Sequence, residues 1–285
     1  MSKDASPDPS NETGHCLIYG ANGFTGALIA REAVRQGLRP ILAGRNAAAV
    51  TALAQALGCE SRIFDLASPP AIAHALSDID AVLHCAGPFV TTARPMVEAC
   101  FQTGTHYADI SGEIPVLEDL YSLDAEAVTA GVAVVPGSGF DVVPTACLAL
   151  TLKEALPDAT HLRLAMAGKP TLSRGTWRST LQTVPRCGAV RRGGGLVTVP
   201  HAWQAETIAF DDVALYAMTL PWGDVSAAWK STGIPDIEVY AAMPRAPVAI
   251  MRLVRGVVCP LLRIRWLMNF LLTLAARVIT GPSED

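Results

Sequence analysis

Seven residues near the N-terminus, Gly20-Ala21-Asn22-Gly23-Phe24-Thr25-Gly26, constrain this chain more than any other stretch. They follow an apolar run, Cys16-Leu17-Ile18-Tyr19, that reads as a buried strand. They precede Ala27 to Val34, which reads as a helix. Strand, glycine-rich turn and helix in this order match the opening of a dinucleotide-binding domain. Gly20 permits a tight turn, Gly23 lets backbone N–H groups approach a pyrophosphate, and Gly26 lets helix and strand pack closely. The pyrophosphate would sit at the positive end of the helix. The spacing is G-x-x-G-x-x-G, and a glycine-rich turn without a ligand is the competing reading.

Downstream, strands and helices alternate. Pro40 to Asn46 reads as a strand and Ala47 to Leu57 as a helix. Strands follow at 61–65, 80–86, 105–110 and 133–136, with helices at 70–76, 95–103 and 114–130. This alternation implies a parallel sheet with crossover helices. Beyond about residue 146 the runs change character. Strands at 161–166, 195–199, 207–210 and 237–242, with glycine-rich turns between them, suggest an α+β domain with a largely antiparallel sheet. The expected organisation is a polar, disordered tail over 1–13, a nucleotide-binding domain over 14–145 and a second domain over 146–285.

Arg45 is the second informative position. NAD-specific folds place a carboxylate at the end of the second strand, to bind the ribose 2′-hydroxyl. Ala43-Gly44-Arg45-Asn46 offers none, and an arginine there can pair with a 2′-phosphate. NADP is therefore expected as the cofactor, with NAD the alternative. Asp65 is placed to reach the adenine edge, and Cys85-Ala86-Gly87-Pro88 ends the fourth strand on the nicotinamide side. Cys85 reads as a small buried residue more than as a nucleophile. The cofactor-binding set is thus Gly20, Asn22, Gly23, Phe24, Thr25, Gly26, Arg45, Asn46, Asp65, Cys85, Ala86, Gly87 and Pro88.

Two further strand ends collect polar groups, at 106–113 and 136–141. Tyr107, Asp109, Glu113 and Asp141 are the candidates for substrate orientation or proton transfer. The competing reading is that Asp109 and Asp141 cap helices and hold the turns. No tyrosine has a lysine four residues later, which argues against the short-chain dehydrogenases. The serine-hydrolase elbow is also missing.

Composition narrows the partners. Apolar residues make up 51% of the 285, and the net charge is −4, so nothing suggests nucleic acid. Seven cysteines stand singly with no Cys-x-x-Cys pair, and no metal site is expected. Without a secretory signal, this cysteine usage fits a reducing cytoplasm. Residues 248–279 are strongly apolar but interrupted by Arg252, Arg255, Pro260, Arg263, Arg265 and Arg277. The longest charge-free piece, 266–276, is too short for a span of about 20 residues. Two packed helices or an oligomer interface, such as a homodimer, is one reading. An arginine-bearing amphipathic surface making peripheral membrane contact over 248–280, or receiving a greasy substrate, is the other.

Taken together, Gly-Ala-Asn-Gly-Phe-Thr-Gly at 20–26, Leu-Ala-Gly-Arg at 42–45 and Cys-Ala-Gly-Pro-Phe at 85–89 resemble saccharopine dehydrogenase-like oxidoreductases. So do His-Tyr-Ala-Asp-Ile-Ser-Gly-Glu at 106–113, Gly-Phe-Asp-Val-Val-Pro-Thr at 139–145, Leu-Pro-Trp-Gly-Asp at 220–224 and Ser-Thr-Gly-Ile-Pro at 231–235. The subgroup most resembled includes the trans-acting enoyl reductases of mycobacterial lipid synthesis. The resemblance implies a doubly wound Rossmann domain followed by an α/β substrate domain. It also implies reduction of a small-molecule or lipid-linked substrate. Two departures stand out. Ala146 replaces an acidic residue common after the 139–145 motif, and the family usually continues beyond Asp285, so a shortened form is expected. The alternatives are a non-catalytic, membrane-peripheral protein that keeps the dinucleotide fold as a scaffold, and an amino-acid imine reductase.

Overall fold

The computed structural model describes residues 14–168 and 187–262. The expected tail over 1–13, and the apolar segment beyond 262, lie outside the described residues.

The first sheet has the order β3-β2-β1-β4-β5-β6. Its strands are β1 Cys16–Tyr19, β2 Ile41–Gly44, β3 Ser61–Ile63, β4 Ala81–His84, β5 His106–Asp109 and β6 Val134–Val135. β1 pairs in parallel with β2 (Ile18 opposite Leu42) and with β4 (Ile18 opposite Leu83). The order reverses direction at β1, so β1 and β4 form the switch point of a doubly wound sheet. β2 is buried at all four positions because helices cover both faces of such a sheet.

Crossover helices α1 Phe24–Arg35, α2 Ala47–Leu57, α3 Pro69–Leu76 and α4 Phe89–Thr103 return the chain between parallel strands. Leu42 and Val50, both fully buried, form one core cluster with Ile18, Ala21, Ala30 and Ala54. Each such large side chain contributes about 2 kcal/mol by leaving water.

The helix expected over 114–130 is two helices, α5 Ile114–Tyr121 and α6 Asp124–Ala130. Ser122 ends α5: its hydroxyl donates to the Asp119 carbonyl at 2.6 Å. α4 begins at Phe89, six residues before the expected Pro95, which stands inside it.

A thirteen-residue helix, α7 Val143–Ala155, precedes the second sheet. That sheet contains β7 His161–Met166, β8 Gly188–Arg192, β9 Gly195–Val199, β10 Ala205–Phe210, β11 Val213–Thr219 and β12 Asp236–Ala242. Its order is β10-β11-β12-β8-β9, and β7 pairs with β12. The pairings are antiparallel except β7 with β12, which is parallel. The expected α/β architecture with a largely antiparallel second sheet is therefore the observed one. Helix α8 Asp224–Thr232 packs Val225 and Ala228 against Ile237 and Val239 of β12 in a second core cluster. Helix α9 is Arg245–Leu262.

By contacts the chain divides into two compact units. One runs to Ala86 and adds Pro95–Ala108 and Glu126–Ala133. The other takes Gly87–Arg94, Asp109–Ala125 and the chain from Val134 on.

Candidate functional site

In the first unit, the glycine turn has the geometry its sequence demands. Gly20 lies at φ +83°, and a Cβ there would come within 2.9 Å of the Ala86 methyl. A Cβ on Gly26 would overlap the Gly20 carbonyl oxygen and come within 3.1 Å of Ala21 Cα. Both positions exclude any other L-residue without backbone movement. The Gly20 and Ala21 N–H groups donate to the Ala43 carbonyl at 2.8 and 3.1 Å, tying the turn to β2. Asn22 Oδ1 lies where Gly44 leaves room: a Cβ on Gly44 would be 3.2 Å from it.

Gly23 stands at the N-cap of α1 and offers no side-chain cap; the first turn of the helix carries no acidic residue. Asn22, Gly23, Phe24 and Thr25 are exposed. The helix therefore presents backbone N–H groups and the positive end of its dipole, the arrangement that receives a phosphate.

Arg45 is exposed just past the end of β2. Asp65 lies in the loop after β3, which ends at Ile63 and not at Asp65 as expected. Its carboxylate accepts from the Ala67 N–H at 2.7 Å. The Tyr19 hydroxyl, pushed up to about 12, reports on both: burial raises it most, the Asp65 charge adds, and the Arg45 charge opposes. Arg45 and Asp65 thus gather at the end of β1, where a doubly wound sheet binds its ligand. Asn46 also caps α2, its Oδ1 accepting from the Ala49 N–H at 3.2 Å. Cys85 is half-buried, its side chain against the β1–β2 core cluster. Ala86 touches Gly20, and Gly87 joins Pro88 through a cis peptide bond. The uncapped helix, the two side-chain-free positions and Arg45 fit a dinucleotide with a 2′-phosphate.

The four candidate catalytic residues fare differently. Tyr107 is 1% exposed inside β5, its ring 6.2 Å from that of His84. Asp109 is fully buried and accepts from Ser111 N–H (2.9 Å), the Ser111 hydroxyl (2.6 Å) and Gly137 N–H (2.8 Å). The reading of Asp109 as a holder of turns matches this geometry. Glu113 is the N-cap residue of α5, and its carboxylate accepts from the Gly112 N–H at 3.1 Å. Asp141 is exposed as a residue, and the partial burial of its carboxyl raises it from its ordinary value. A Cβ on Gly112 would lie 3.5 Å from Asp141 Oδ2 and 3.7 Å from Trp222 Nε1, so carboxyl and indole border one small space.

One residue in the same unit as Asp141 escaped the sequence reading. Asp224, the first residue of α8, is fully buried and in contact with the Thr145 hydroxyl. Its carboxyl is raised to about 6, chiefly by burial, with the Asp141 charge adding. The signal was present in Leu220–Asp224, but a lone acid at a helix start reads as an ordinary partner of the helix dipole.

Nearby in the same unit, a cavity of about 260 Å³ is walled by Pro136, Val142, Ala146, Cys147 and Leu150. Lys230 stands at its rim, 5.5 Å from the Tyr121 ring centre. Among the described residues no cluster could hold a metal ion.

Residues 16–135 match the saccharopine dehydrogenase NADP binding domain. The matched span contains the glycine turn, Arg45 and the strand end at 85–86. Among curated proteins, the chain is 31% identical over 150 residues to a saccharopine dehydrogenase-like oxidoreductase of Bos taurus. That match covers 46% of this chain and 35% of the relative. It is 31% identical over 147 residues to a trans-acting enoyl reductase of Mycobacterium bovis, covering 48% of this chain and 35% of that protein. The match thus spans about a third of the length of these curated relatives. In fold, the chain is similar to saccharopine dehydrogenase (L-Glu forming) of Saccharomyces cerevisiae. The TM-score is 0.62 at 18% identity, over 85% of this chain and 57% of the other.

Proposed function

We propose that this chain is an NADP-dependent oxidoreductase of the saccharopine dehydrogenase-like type that reduces an apolar, lipid-linked substrate. The observation that carries the cofactor assignment is the turn at 20–26: two positions closed to side chains, opening on an uncapped helix. Arg45, at the end of β2 where NAD-specific folds place a carboxylate, favours the 2′-phosphate over a free 2′-hydroxyl.

When bound, NADPH supplies the hydride. The chain's own residues do the rest. The α1 N-terminus would neutralise the pyrophosphate, Arg45 would fix the adenosine end, and Gly20 and Gly26 would keep side chains out of the way. Reduction by hydride leaves the product one proton short, so an acid is required, and Asp141 is the accessible carboxyl with a raised affinity for protons. The apolar cavity beside Pro136 and Val142 supports an apolar substrate, and the relatives named as trans-acting enoyl reductases support an enoyl group as what is reduced. Titration with NADPH and NADH, followed by nicotinamide fluorescence, tests the cofactor reading. Binding of neither nucleotide would sink it.

A second reading rests on α9. Arg252 donates to the Ala202 and Trp203 carbonyls at 2.8 and 3.1 Å, and Arg255 to the His201 carbonyl at 2.8 Å. Both arginines hydrogen-bond to the protein, and Arg252 remains exposed. Ile250 and Leu253 are also exposed, at 61% and 84%. An apolar helix face of this kind supports peripheral membrane contact without catalysis. No helix among the described residues is long and apolar enough to cross a membrane. Liposome flotation of the intact chain against one cut near residue 245 separates the readings: equal, poor flotation of both removes the membrane role.

A further inference from the structure

Trp222 stands in the turn before α8, and its ring packs against the second core cluster. Its backbone N–H donates to the Leu220 carbonyl at 3.0 Å, and its own carbonyl accepts from the Val225 N–H at 3.1 Å. A close backbone approach fixes this turn further. A Cβ on Gly223 would come within 2.9 Å of the Gly112 carbonyl oxygen. The indole is thus held through its apolar body, and its nitrogen is turned toward Gly112.

Asp141 reaches the same place from another segment. The Val142 and Val143 N–H groups donate to the Gly139 carbonyl at 3.2 and 3.0 Å, which closes the turn that carries it. The point where a Cβ on Gly112 would stand is 3.5 Å from Asp141 Oδ2 and 3.7 Å from Trp222 Nε1. These are ordinary contact distances, so the space takes a methyl-sized group without a clash. Gly112, Asp141 and Trp222 all belong to the same compact unit.

Among the described residues, neither the indole N–H nor the Asp141 carboxyl makes a hydrogen bond. The indole nitrogen is not one of the buried unpaired atoms, so it keeps a face open to solvent. An indole N–H donates and never accepts, so the atom it binds is an acceptor. A substrate whose carbon–carbon double bond is conjugated to a carbonyl offers one strong acceptor, the carbonyl oxygen.

We propose that the Trp222 indole N–H receives this carbonyl oxygen above Gly112, with the adjoining carbon beside the Asp141 carboxyl. Trp222 is then a catalytic residue. The inference deepens the oxidoreductase reading and rests on it. Hydride addition to the far carbon of the double bond, with NADPH oxidised to NADP, sends the π electron pair to the carbonyl oxygen as an enolate. The indole N–H, already in place, stabilises that charge. The near carbon takes one proton from Asp141, which leaves a saturated carbonyl compound and an aspartate carboxylate.

Two probes test the contact on the full chain without cofactor: a trans-2-octenoyl N-acetylcysteamine thioester, and the thioether in which CH₂ replaces its carbonyl. The five tryptophans give five indole N–H resonances in an ¹⁵N-labelled protein. One should move downfield with the thioester and stay with the thioether, and that resonance should be missing from Trp222→Phe. Trp222→Phe should weaken the thioester about fivefold, the loss of one neutral hydrogen bond, and leave the thioether unchanged. Equal weakening of both probes would mean that the ring only packs, and would overturn the inference. So would a moving resonance that survives in Trp222→Phe, or none that moves.

Gly112→Ala fills the space with a methyl group at a backbone angle open to alanine. It should melt at the wild-type temperature or above and lose the thioester. Unaltered thioester binding in Gly112→Ala would also overturn the inference. If Trp222→Phe does not fold, the two probes on the wild-type chain and Gly112→Ala still decide.

The kinetic arm uses NADPH-dependent reduction of the same thioester. Trp222→Phe should lower kcat about a hundredfold, far more than it weakens binding, because the donor matters most once charge has formed. Equal losses in rate and binding would overturn the role in stabilising the enolate. Failure to bind NADPH strikes the oxidoreductase reading alone, because the indole shift is read without cofactor.

Discussion

The Gly20 carbonyl oxygen occupies the place that a side chain on Gly26 would need. The contact is backbone to backbone, so no rotamer change relieves it. Gly26→Ala must push α1 away from the β1 turn. The expected cost is about 1–3 kcal/mol, as for other overpacked sites. NADPH binding should fall further than stability alone requires, because the N–H groups aimed at the pyrophosphate move with the helix. Thermal melts paired with nicotinamide fluorescence measure the two effects separately.

Arg45→Ala is expected to weaken NADPH about tenfold or more while leaving NADH nearly unchanged. A charge-assisted hydrogen bond lost at a phosphate is worth about 1.5–3 kcal/mol. Arg45→Asp should go further and invert the preference, since a carboxylate repels the 2′-phosphate and accepts from a 2′-hydroxyl. Dissociation constants for both nucleotides at one salt concentration provide the check. Equal losses for both would mean that Arg45 serves the turn and not the phosphate.

Two buried groups should give acid stability profiles of opposite slope. His84 is fully buried between the rings of Tyr19 and Tyr107, and burial lowers it from 6.5 to about 3. The unfolded chain then binds a proton that the folded chain refuses. His84 therefore costs stability as pH falls from 6.5 toward 3, at about 1.4 kcal/mol per pH unit. Asp224 runs the other way. Raised from 3.8 to about 6, it keeps a proton that the unfolded chain releases, so its contribution falls as pH rises across that window. Relative to wild type, His84→Phe should gain stability toward acid, and Asp224→Asn should gain it toward neutrality. Denaturant melts at about four pH values between 4 and 7 read both slopes.

Arg191 is 2% exposed, yet it belongs to the second sheet's core as firmly as any leucine. It pairs with Glu118 and donates to the Val225 and Gly194 carbonyls at 3.0 and 2.7 Å. Its guanidinium also stacks 4.2 Å from the Trp229 ring centre. Arg191→Met should cost about 3 kcal/mol or more, because two carbonyls and a carboxylate lose their donor. Arg191→Lys should rescue little, since an ammonium cannot reproduce the planar fork. Urea unfolding of the three proteins distinguishes these outcomes.

Local pattern made the first sheet legible. β1 and α2 coincide with their expected bounds because each has unambiguous punctuation: an apolar run ending in Gly20, and Asn46 to Gly58 around an alanine-rich stretch. The second sheet was harder to read. α7 is apolar on every side, so it shows no helical period, and only Thr145 and Ala149 are buried on it. β8 ends in two arginines, which read as surface until Glu118 and Glu238 are brought to them across the fold. The parallel pairing of β7 with β12 joins residues 75 positions apart, such as Leu162 and Ile237, and no local signal carries it. The same holds at the candidate site. Asp141 was visible as an acid after a glycine turn, while Asp224 acquires its meaning only when Thr145 is set against it.

Asp109 has a consequence for how such a site can change over time. One buried carboxylate collects donors from Ser111 and Gly137, and its own carbonyl accepts from the Ser138 N–H at 2.6 Å. The end of β5 and the 136–138 turn are therefore stitched into a single mechanical part. Neither loop can lengthen, shrink or tilt without breaking the stitch. New substrates would have to be accommodated by exchanging the side chains mounted on this part, with its backbone passed on unchanged.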